Sequence, residues 1–178
     1  MNKPTTFNPF TDRLSRDIRN SMSETIIDVL DERSLEKARA VAHGYLQTIP
    51  APVYADYIHE RLDRYARALE QISPDTSLLR QAAILWNLGL LFEVHEILEP
   101  AWMRASGDRR LLLQALIRSV GIYINLEVGY RDRAAKIAAK ALPVLTKQKA
   151  AIAEEIDIDA LISHIEKLSA TPPEIVLK

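Results

Sequence analysis

The stretch Asn87-Leu-Gly-Leu-Leu-Phe-Glu-Val-His-Glu-Ile-Leu-Glu-Pro-Ala-Trp102 sets one histidine and three glutamates into an apolar pattern of helical period. At 3.6 residues per turn, positions i, i+4 and i+7 share a helix face. Taken as one continuous helix with the residues before it, the stretch aligns Ile84, Leu88, Leu91, His95, Leu98, Glu99 and Trp102 on a packing stripe. His95 and Glu99 are then expected to point inward, one turn apart. Glu96 lies about 100° around the helix from His95 and Glu93 further still, so both are expected at the surface or rim.

A buried carboxylate is costly unless it is paired, hydrogen-bonded or bound to a metal. His at i and Glu at i+4 emerge on one face and can share a cation, so His95, Glu99 and Glu96 form a candidate metal set. Imidazole plus carboxylates suits a divalent transition metal such as zinc, manganese or iron. A polar network is the other account: a His–Glu or His–Glu–Arg cluster that fixes how two helices pack. The spacing differs from the His-Glu-x-x-His metalloprotease motif, because Glu99 stands at the second ligand position. That argues against Glu96 as a protease base.

The pattern Asn87-x-Gly89-x-x-Phe92-Glu93-x-His95-Glu96-x-x-Glu99-x-x-Trp102 resembles the signature of a prokaryotic domain of unknown function, number 309 in its series. The hallmark His-x-x-x-Glu-x-x-Trp/Tyr falls on His95, Glu99 and Trp102. Leu113 to Ile117, Tyr123, Gly129 and Ala134 resemble that family's second helix and following turn. The chain departs from the family pattern at Ala115, Arg118, Tyr130 and Arg133. The resemblance spans roughly residues 80–145. It implies an all-helical domain and metal binding, and no known reaction.

The 178 residues suffice for a domain with its own core, plus a helical extension. A net charge of −1 supplies no electrostatic drive toward nucleic acid or acidic membranes. Cysteine is absent, which excludes disulfides and thiolate chemistry and suits a cytoplasmic setting. No apolar run has the length of a membrane span, and the N-terminus does not read as a signal peptide. The expected partners are a second copy of the chain, another protein or a small molecule, not nucleic acid or a membrane.

Helical periodicity prevails over alternation, which predicts an all-α bundle of six or seven helices around a central antiparallel hairpin. Residues 1–10 read as a loose or docked tail. Helices are expected near 11–31, 35–47 and 53–72, with Pro50 and Pro52 breaking the chain before the third. The motif helix is expected from Ser77 to Arg104, loosened at Pro100. The next runs from Arg109 to Val128, after a turn with Gly107 as left-handed stop. A sixth extends to about Lys147, and a last one ends near Leu168. The expected organisation is a helical extension at 1–75, a core domain at 76–147, and a final helix and tail at 148–178.

In the Arg109–Val128 helix, Gln114, Arg118, Gly121 and Asn125 form one narrow polar stripe. It either faces His95 and Glu99, with Arg118 pairing a carboxylate, or forms the solvent edge. Three functions stay open. One is a metal-binding protein centred on His95 and Glu99, with Glu93 or Glu96 as a further carboxylate. The second is a non-catalytic interaction module with a structural polar network. The third is an anion pocket using Arg118 with Arg104, Arg109 or Arg110.

Overall fold

The computed structural model of the protein describes residues 6–48 and 51–178. The expected tail at 1–10 falls outside these residues over 1–5, and so does the chain break at Pro50. The chain divides into two compact units, Met1–Pro74 and Asp75–Lys178. Nearly all regular structure is α-helical, as the periodicity predicts.

The first unit holds α1 (Arg13–Ser23), α2 (Ile26–Glu32), α3 (Glu36–Leu46) and α4 (Pro52–Gln71). Asp12 starts α1 by accepting the Ser15 amide and hydroxyl, and it also accepts the Tyr54 hydroxyl at 3.0 Å. The expected single helix over 11–31 is broken between α1 and α2. Ser23 and Thr25 turn their hydroxyls back onto the carbonyls of Asn20 and Met22, and Tyr65 donates to that same Met22 carbonyl. Such local bonds compete with the helical ladder. Ile18, Met22, Ile26, Ile58 and Tyr65 form a fully buried core, and Phe7 stacks on Tyr57 with centroids 3.7 Å apart.

The second unit contains α5 (Leu78–Asn87), α6 (Leu91–Arg104), α7 (Gly107–Glu127), α8 (Arg131–Gln148) and α9 (Asp159–Glu166). Two short strands, β1 (Ile156–Asp157) and β2 (Val176–Leu177), pair antiparallel. Helices α6, α7 and α8 are successive packed neighbours, so the expected hairpin exists as α6 and α7. Residues 148–178 pack within this unit, on α5 and α8.

The principal departure from the sequence expectation is the break between α5 and α6. Gly89 takes φ +69°. The Leu90 amide donates to Leu85 O and the Gly89 amide to Trp86 O, both at 2.9 Å. This six-to-one and five-to-two pair is a Schellman turn, and Leu85 and Leu90 close it with fully buried side chains. The same bonding ends α7, where Gly129 has φ +79° and the Tyr130 amide reaches Asn125 O. It also ends α9, where the Ser169 amide reaches His164 O. There the left-handed position is Leu168, at φ +49°. A side chain in this region costs roughly 1–2 kcal/mol. Arg131 offsets part of that cost by donating to the carbonyls of Lys167 and Leu168.

Gly89→Ala tests the turn. It should lower the unfolding free energy by about 1–2 kcal/mol in urea melts, with helical circular dichroism nearly unchanged.

Candidate functional site

Because the chain turns at Gly89, α6 begins a new phase, and Ile84 and Leu88 do not continue into its face. The inward residues of α6 are Glu93, Val94, Ile97 and Leu98. Glu93 is 1% exposed, whereas His95, Glu96, Glu99 and Trp102 are half-buried. The expectation is thereby reversed: Glu93, placed by the sequence at the rim, is the core carboxylate. His95 and Glu99, expected inside, stand at the edge. The continuous-helix assumption is what failed.

Glu93 occupies the first turn of α6, where the unbonded amides and the helix dipole favour a negative charge. It is not isolated there, having a polar or electrostatic partner within the protein. This answers the physical demand that a buried carboxylate be compensated.

On the outer side, His95 Nδ1 lies 3.6 Å from Glu96 Oε1. Interaction with the Glu96 carboxylate raises the His95 pKa above its ordinary value, and the charge of Glu99 adds to the rise. Partial burial opposes both. His95, Glu96 and Glu99 thus form an acidic cluster with a histidine on one helix. Among the described residues, no three His, Asp or Glu side chains converge in a way that would hold a metal ion.

Helix α7 supplies a cation to this region, though not the expected one. Arg110 lies over the Trp102 ring, 4.6 Å from its centroid. It also donates to the carbonyls of Trp102, Met103 and Ala105 at 3.1–3.3 Å. Arg110 therefore closes the C-terminal end of α6, where a cation meets the negative end of the dipole. The sequence reading had left it among turn arginines for an anion pocket. Arg118 instead turns toward α8 and reaches the Lys140 carbonyl at 3.5 Å. A Cβ at Gly121 would meet Ile137 of α8 at 3.8 Å, so the polar stripe of α7 borders α8. Gln114 is half-buried on that stripe, and Asn125 donates to the Gly121 carbonyl at 2.7 Å.

Asn87, at the head of the quoted stretch, and Trp86, just before it, have a polar role that helical periodicity does not reveal. Trp86 Nε1 donates to Pro173 O at 2.8 Å. Asn87 both donates to Ile175 O and accepts the Ile175 amide, each at 2.8 Å. Trp86 also meets Tyr123 edge-to-face at 5.3 Å. Burial pushes the Tyr123 phenol up to about 12, and its hydroxyl meets no hydrogen-bonding group among the described residues. The signal available in the sequence was a polar Asn beside Trp, two residues ahead of a glycine.

Residues 79–136 match the family model of a domain of unknown function, DUF309. That segment is similar to DUF309. The matched segment runs from the first turn of α5 into α8, and so contains the Gly89 turn and the whole α6–α7 hairpin. No curated protein and no solved structure matches the chain. Among the described residues, no helix is long and apolar enough to cross a membrane.

Two predictions come from these placements. Glu93→Ala should cost about 2–4 kcal/mol in chemical unfolding, the scale of breaking a buried compensated charge, and Glu99→Ala less than about 1 kcal/mol. His95 should titrate by NMR above its ordinary value of 6.5, and Glu96→Gln should move it back down. With the folded pKa raised, the stability it contributes is fully present below the unfolded pKa. It is lost as pH rises through the folded one.

Proposed function

We propose that this protein is a non-catalytic interaction module whose contact face is the outer stripe of α6. Phe92, Glu96, Glu99 and Met103 follow one another at i, i+4, i+7 and i+11, which share a helix face. The first three are half-buried and Met103 is 59% exposed. His95 and Trp102 border this stripe. The observation that carries the reading is that the motif's His95, Glu96 and Glu99 lie together on this one half-exposed edge, and among the described residues no three His, Asp or Glu groups converge into a metal-holding set. Exposed apolar area beside carboxylates suits a protein partner that brings an apolar contact and basic side chains.

The metal binding that the motif's resemblance implies motivates the competing reading, in which His95, Glu96 and Glu99 hold zinc, manganese or iron. The carboxylates that favour a proton on His95 also favour a cation, but a third element would have to complete the set.

One set of variants separates the two. Elemental analysis of the untagged protein, purified without chelator, should find no stoichiometric transition metal. His95→Ala and Glu99→Ala should melt within a few degrees of wild type. A photo-crosslinking residue at Met103 should capture a discrete partner in cells, and one at exposed Lys136 should not. Reversing both charges with Glu96→Lys and Glu99→Lys should abolish the adduct. About one equivalent of metal in wild type, absent from His95→Ala, would replace the interaction reading with the metal one. Adducts that are the same from both positions would refute the interaction face.

A further inference from the structure

Segment 171–178 lies on α5 and β1 in an extended form that is read almost entirely through its main chain. Trp86 and Asn87 make three hydrogen bonds to the backbone of Pro173 and Ile175. Val176 and Leu177 pair with Asp157 and Ile156, and the Lys178 amide donates to Glu155 O at 3.0 Å. Arg80 donates to the Lys178 carbonyl. Two side chains are held: Ile175 is 5% exposed, and Lys178 Nζ lies 3.4 Å from Asp157 Oδ2. Val176 and Leu177 remain 51% and 42% exposed. Backbone hydrogen bonding with a single side-chain pocket is how an extended peptide adds to a sheet edge from another chain.

Three further observations make the attachment exchangeable. Leu168, just upstream, holds a left-handed conformation that the other two Schellman turns of this unit assign to glycine. A chain that opened at this turn would release that strain. Pro172 and Pro173 follow, and prolines keep the intervening chain extended and stiff. The packing beside Ile175 is incomplete: Ile175, Leu79, Ala83 and Trp86 are among the residues that border an apolar cavity of about 20 Å³. Contacts are forfeited across such a void.

We propose that segment 171–178 exchanges between two copies of this chain, each placing its Ile175 against Asn87 and Trp86 of the other. The occupant is a second copy because it carries the same segment, and so can make the same bonds to Trp86 and Asn87 and the same pairing with Ile156 and Asp157. Exchange reproduces each of these contacts unchanged, so opening the strained turn is the step that separates the two forms. The exchange concerns a surface apart from the outer stripe of α6 and does not depend on it.

The chain contains no cysteine, which permits a clean cross-linking test. Asp157 and Val176 are directly opposed in the antiparallel register. Opposed positions lie about 4.5–5.5 Å apart, within the range a disulfide spans. Full-length Asp157→Cys and Val176→Cys proteins would be mixed with oxidised glutathione and resolved on non-reducing gels, their fold checked by circular dichroism. Exchange predicts a mixed 157–176 linked dimer at least tenfold more abundant than either self-linked dimer. Adding Asn87→Ala to the Asp157→Cys chain should reduce it several-fold. Mixed and self-linked products in collision proportions would overturn the proposal. If either variant fails to fold, hydrogen exchange on the wild-type chain decides. Exchange of the Ile175 and Lys178 amides through local opening, faster than global unfolding, supports it. Exchange only with global unfolding overturns it.

Discussion

Gly89 holds a backbone conformation closed to most side chains, and the rest of the second unit follows from it. The turn it makes ends α5 at Asn87 and restarts the chain as α6 four residues later. Two consequences arise together. The rotational phase of α6 is set independently of α5, which turns Glu93 inward and His95 and Glu99 outward. The end of α5 is also left free of further helix, so that Trp86 and Asn87 can bind another segment. Without a left-handed residue at 89, neither arrangement would be available.

Helix periodicity made most of the fold legible. The apolar spacing marks out α3, α4, α7 and α8 within a few residues, and Pro52 and Ser77 stand where helix starts require them. Periodicity failed where a helix stops and another begins without a change of composition. Leu88-Gly-Leu90 is apolar on both sides of the glycine, so the pattern runs on through a turn. The break at Glu24 and Thr25 was hidden in the same way, because hydroxyl-to-carbonyl bonds leave no periodic trace. The strands β1 and β2 are two residues each, too short for alternation to register.

The location of the candidate site was more legible than its orientation. The sequence singled out the stretch that forms α6, and residues 79–136 match the DUF309 family model. Which of its carboxylates is buried could not be read, because one misplaced turn rotates the whole assignment. For Arg118, on the polar stripe of an apolar helix, the sequence left open a carboxylate partner or the solvent edge. Arg110 is the one that meets α6, because its position at the start of α7 puts it beside the last carbonyls of α6. Chain order near a tight turn was the better guide than isolation in the pattern.

The two tryptophans fall on the two surfaces that matter. Trp86 is 4% exposed and donates its indole proton to the Pro173 carbonyl. Trp102 is half-buried on α6 under the Arg110 guanidinium. The protein thus carries a built-in pair of optical reporters, one in a dry apolar setting and one at a partly wet edge beneath a cation. Emission from the first senses the seating of segment 171–178, and emission from the second senses what approaches the outer face of α6. Replacing either tryptophan with phenylalanine isolates the other signal, so events at the two surfaces can be followed separately in one unlabelled molecule.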